Sequence, residues 1–105
     1  MIREELTTHY KLNSTFIIEG KVNGIIRQGT CFSINNTEIV TAWHVVDEMV
    51  DIKLFLTTDH LINNEYLQLT LVEHDDELDI AILSVDIGFF TEYIKANNVN
   101  IWLKL

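Results

Sequence analysis

Ile39-Val40-Thr41-Ala42-Trp43-His44-Val45-Val46 is an apolar strand that closes on a small-residue step and then presents a histidine. Leu78-Asp79-Ile80-Ala81-Ile82-Leu83 opens with an aspartate and continues as unbroken core. Four apolar residues follow Asp79 at once. The carboxylate is therefore expected to enter a core and to need a donor, for which His44 is the best candidate. A histidine and a carboxylate at the ends of two apolar strands are two of the three side chains of a nucleophile-activating triad.

Outward from these two stretches the pattern is β. Thr15-Phe16-Ile17-Ile18 and Gly24-Ile25-Ile26-Arg27 favour strands, and Asn23-Gly24 between them is a strong hairpin-turn dipeptide. Residues 28–34 continue the second strand, with Gly29 marking a bulge or a close backbone approach. Asn35-Asn36 turns the chain into residues 38–42. From Trp43 to Val50 the apolar positions 43, 45, 46, 49 and 50 suit one or two helical turns better than alternation. Residues 51–56 alternate again, and 57–64 read as a polar loop. Leu67, Leu69 and Leu71 share one face of a strand over 66–72, and residues 78–85 form the last strong strand. About six strands at short, regular spacing predict an all-β domain, a small antiparallel barrel or sandwich, over residues 14–86. Residues 1–13 read as a lead-in segment. Residues 87–105 read as a connector, with a short helix at 89–94 and a possible strand over 99–105.

Length and composition narrow the function. A chain of 105 residues holds one core. No apolar run approaches the roughly 18 residues of a membrane helix. The net charge of −9, with seven scattered basic residues, argues against nucleic acid. It reads as solubility, or as a preference for basic peptide partners. The N-terminus carries Glu4 and Glu5 where a signal peptide would carry positive charge. A single cysteine, Cys31, fits a reducing compartment, so the expected location is the cytoplasm. Mid-strand and small, Cys31 reads as a core residue rather than a nucleophile. His9, His44, His60, His74 and the Asp75-Asp76 pair show no metal-ligand spacing, and neither a metal nor a cofactor is expected.

Gly29-Thr30-Cys31-Phe32-Ser33-Ile34, the block 38–46 and the block 79–83 together resemble the first barrel of chymotrypsin/trypsin-like serine proteases, closest to their bacterial, non-zymogen branch. That barrel reads roughly G-[ST]-G-F-x-[IV], then I-[LV]-T-A-x-H-V-V, then D-[IL]-A-[IL]-L. The resemblance implies a six-stranded antiparallel Greek-key barrel with a short helical turn at His44. It also implies a general base at His44, since an imidazole both takes and returns a proton near neutral pH. Asp79 would accept the Nδ1–H bond and fix the tautomer. Cys31 and Trp43 stand where small residues are usual, and no G-x-S-G block occurs in the 105 residues. In the family the serine, the oxyanion-hole amides and the specificity pocket come from a second barrel. The resemblance thus implies the His/Asp half of a serine endopeptidase, inactive by itself. Its partners would be a second barrel, on the same longer chain or on another polypeptide, and a peptide substrate. The competing reading is a non-catalytic protease-like barrel that serves as a protein-binding or assembly module.

Overall fold

The computed structural model describes residues 15–85; the lead-in at 1–13 and the connector at 87–105 lie outside the described residues. β1 (Thr15–Val22) and β2 (Ile25–Ser33) form the expected hairpin. Asn23 and Gly24 have φ of 54° and 81°, the double left-handed step that matches the twist of a two-residue hairpin. Asn35 then reverses the chain: its Oδ1 accepts from the Thr37 N–H and the Thr37 hydroxyl, both at 2.9 Å. β3 (Glu38–Ala42) follows and runs straight into the single turn α1 (Trp43–Val46). Next come β4 (Val50–Phe55), the short helix α2 (Thr58–Ile62), β5 (Leu67–Gln68), β6 (Thr70–Asp75) and β7 (Ile80–Ser84).

The strands make one sheet in the order β5-β4-β1-β2-β3-β7-β6, every pair antiparallel. The two edge strands are consecutive in the chain, with only Leu69 between them. The sheet therefore bends round until its ends meet at one stretch of backbone. The Leu69 N–H bonds Ile52 O at 2.9 Å and its side chain is buried.

The described residues hold seven strands where the sequence predicts six. The run 66–72, read as one strand, breaks at Leu69 because its first part pairs with β4 and the rest with β7. Three smaller differences follow from local bonding. The helical stretch after Ala42 stops at Val46, and Val50 already belongs to β4. The loop 57–64 contains α2, capped by the Thr57 hydroxyl, which accepts from the His60 N–H at 3.1 Å. Thr57 followed by Asp59 in the first turn is a helix-start signal that the polar composition masked. The last strand begins at Ile80, not Leu78.

Side-chain alternation divides the sheet into two apolar faces. Ile18, Cys31, Ile39, Leu54, Ala81 and Leu83 fill the inner core. Ile34, Val40 and Ile82 form a second cluster on the other face of β2, β3 and β7, with Phe32 and Ile80 against it. Strands β3 and β7 are thus apolar on both faces, which is why they read as continuous runs. Each fully buried Ile or Leu contributes about 1.5–3 kcal/mol. No helix among the described residues is long and apolar enough to cross a membrane.

Candidate active site

Near the end of β3 lies Thr41, whose hydroxyl donates to Thr30 O on β2 at 2.7 Å. Ala42 then occupies the N-cap of α1 with no side-chain bond to offer. The first N–H groups of a helix have no partner within it. Asp79 supplies two from outside. Its carbonyl accepts from the Trp43 N–H at 3.0 Å, and its Oδ1 accepts from the His44 N–H at 2.8 Å. The remaining carboxylate oxygen, Oδ2, lies 2.5 Å from His44 Nδ1. Backbone and imidazole of one residue are held by one carboxylate.

To do this Asp79 sits in a turn with φ 56°, the left-handed region that Asp and Asn adopt more readily than other side chains. It does not enter the core. Its side chain is 45% exposed and that of His44 is 73% exposed. The reason is the turn itself, which swings the carboxylate off the β7 axis toward α1 before the buried run begins. The His44 ring bond, then the His44 backbone bond, hold the Asp79 carboxyl below its usual range. An ionised carboxylate only accepts, so a neutral imidazole in this contact carries its proton on Nδ1 and its lone pair on Nε2.

Three contacts seat α1. Val46 is buried in the core. Val45 lies against Gly29, where a Cβ would come within 2.7 Å of Val45 Cγ1; the glycine is the close approach the sequence marks. Arg27 Nη1 donates to the carbonyls of His44 and Val45 at 3.2 Å each, and to that of Asp47 at 3.5 Å. Beside the pair opens a groove of about 590 Å³ lined by Thr30, Phe32, Val40 and Ile80 together with His44 and Asp79.

Other candidates lie elsewhere. Cys31 is buried, its thiol donates to Phe16 O at 3.8 Å, and burial pushes its pKa up to about 12, which removes it as a nucleophile. Ser33 is fully buried in β2, and Ser84 lies in β7. Ser14 and His9 are outside the described residues. Two neighbours of the site are not assigned to it by the sequence. Arg27 reaches it from an adjacent strand, and His74 stacks on Trp43 from β6. Only the folded sheet brings them there.

Comparison with known proteins bears on the fold. None of the curated proteins is detectably similar in sequence. Among solved structures the chain is similar to the active form of the Rv3671c protease from M. tuberculosis, at 21% identity and TM-score 0.58, over 78% of this chain and 34% of that one. It is also similar to the serine endoprotease from Yersinia pestis, at 17% identity and TM-score 0.60, over 83% of this chain and 31% of that one. The chain therefore spans about a third of the length of the structures it matches. At these identities the likeness establishes a shared fold, the trypsin-like one. Residues 29–99 match the model of the trypsin-like peptidase domain, and the chain belongs to that family.

Proposed function

We propose that His44 and Asp79 are the base and the orienting acid of a serine endopeptidase whose nucleophile and oxyanion donors come from a second barrel. The second barrel would lie on the same longer chain or on another polypeptide. The observation that carries the reading is the contact between His44 Nδ1 and Asp79 Oδ2 at 2.5 Å, which leaves Nε2 as the free proton acceptor. With a serine at Nε2, His44 takes the hydroxyl proton as the oxygen attacks the peptide carbonyl. Asp79 stabilises the imidazolium that forms, and His44 returns the proton to the leaving amine. The amides that stabilise the tetrahedral oxyanion belong to the second barrel. In this reading residues 67–75 count as one interrupted strand of a six-stranded Greek-key barrel. In this reading the groove over Phe32, Val40 and Ile80 would receive the second barrel. The lone, buried Cys31 supports a cytoplasmic location.

A second reading, a protein-binding or assembly module with His44 and Asp79 as relics, draws support from the lack of a G-x-S-G block in the 105 residues. The intact mass of the natural gene product, measured with whatever co-purifies, separates the two. A longer chain or a bound partner that reacts with a serine-directed fluorophosphonate, and stops reacting in His44→Ala, is the expected result. A species of 12.2 kDa with no reactive partner overturns the peptidase reading in favour of the module.

A further inference from the structure

Trp43 stands directly before the base, and its side chain packs against the inner core. Its ring lies flat on the imidazole of His74, with centroids 3.7 Å apart and planes 4° from parallel. His74 stands on β6 in the cross-strand row that contains Ala81 and Thr41. Its Nδ1 is 2.7 Å from Asp76 Oδ1. Asp76 belongs to the same turn as Asp79. Asp75 Oδ1 pins that turn by accepting from the N–H groups of Glu77 and Leu78, both at 3.0 Å. One turn thus holds two imidazoles: Asp79 takes His44, and Asp76 takes the ring that backs its neighbour Trp43.

We propose that His74 is a positioning residue for the His44–Asp79 pair, acting through Trp43 and oriented by Asp76. The proposal rests on the reading of His44 as the base. The linkage is short. The stack fixes the indole, and the Trp43 N–H bonds Asp79 O at 3.0 Å, so Trp43, from which the chain enters His44, is held at both its ring and its backbone. Asp76 is 74% exposed, and a solvated pair of this kind adds little to overall stability. What the carboxylate supplies is the orientation of the His74 ring, which a plain apolar cover over Trp43 would not need.

The test uses the full chain with Trp102→Phe, so that Trp43 alone reports by fluorescence, and follows exchange of the His44 Nδ1 proton with water by NMR. In His74→Ala that exchange should speed up about two- to tenfold, the opening expected from loss of one aromatic contact. Asp76→Ala should give a smaller rise in the same direction, with the β3 and β7 amide shifts unmoved. If Trp43 emission changes in His74→Ala while the exchange rate does not, His74 only packs and the proposal is overturned. Should His74→Ala fail to fold, Asp76→Ala and His74→Gln decide by the same readout. Asp79→Asn is the control: a His44 proton indifferent to it sinks the pairing itself, and the proposal with it. A proton that responds to Asp79→Asn but not to the His74 and Asp76 variants leaves the pair standing and removes His74 alone.

Discussion

Asp79 carries more of the site than its position before a strand suggests. Its backbone occupies the left-handed region, a conformation that costs a non-glycine residue about 1 kcal/mol and persists only where the surroundings fix it. The surroundings here are the Trp43 N–H, the His44 N–H and the His44 ring. The ring bond is the largest cause of the lowered carboxyl pKa, so His44→Ala should move the Asp79 midpoint up toward the ordinary aspartate range. Carboxyl carbon NMR reads this directly, and an unmoved midpoint would mean that the ring does not hold the acid. The sign for stability follows. A carboxyl depressed in the folded state favours folding above its unfolded value near about pH 3.9, and that contribution is lost as pH falls through the folded value. The Asp79 contribution to the stability difference between wild type and His44→Ala should therefore be lost in that acid window.

α1 is a single turn, far too short to hold itself, and its position is set by what touches it. Gly29→Ala would bring a methyl within 2.7 Å of Val45 Cγ1 and displace the turn that carries His44. The expected loss is about 1–3 kcal/mol in urea unfolding, and Val45→Ala in the same chain should recover part of it. Equal losses in the single and double variants would show that the crowding lies elsewhere. At the other end, Arg27→Met removes the donor to three carbonyls and should cost about 1 kcal/mol, with faster amide exchange at Asp47 and Met49. Exchange unchanged at both amides would refute a seating role. The contrast between the two residues shows what a sequence can disclose. A glycine inside a strand of branched residues is conspicuous, because something must press on it. An arginine in a strand is not, because its target lies on an element brought alongside only by the sheet.

Across the whole molecule the same limit decides which apolar residues matter. The hairpin and the buried runs of β3 and β7 were legible because each rests on a local turn dipeptide or an unbroken apolar run. The approach of His44 to Asp79, 35 residues apart, was legible through the blocks that resemble the trypsin-like barrel. Leu67, Leu69 and Leu71 also form a clean alternating face, yet the structure buries the first two and leaves Leu71 40% exposed. Periodicity says that residues share a face; it does not say which neighbouring strand they face. At Leu69 the chain leaves β4 for β7, crossing from one edge of the sheet to the other, and the register with β7 shifts again between Leu71 and Glu73. The stretch is a seam rather than a strand. Leu69 should then hold both ends of the sheet together: Leu69→Ala is expected to cost about 2–5 kcal/mol, while Leu71→Ala stays within about 0.5 kcal/mol. Since Asp76 and Asp79 lie beyond β6, on the turn that leads back into β7, loosening the seam should also raise amide exchange at His44. Denaturant unfolding of the two variants, with exchange read at that amide, tests both statements. Equal costs at 69 and 71 would return the stretch to an ordinary strand and leave the sheet with two independent edges.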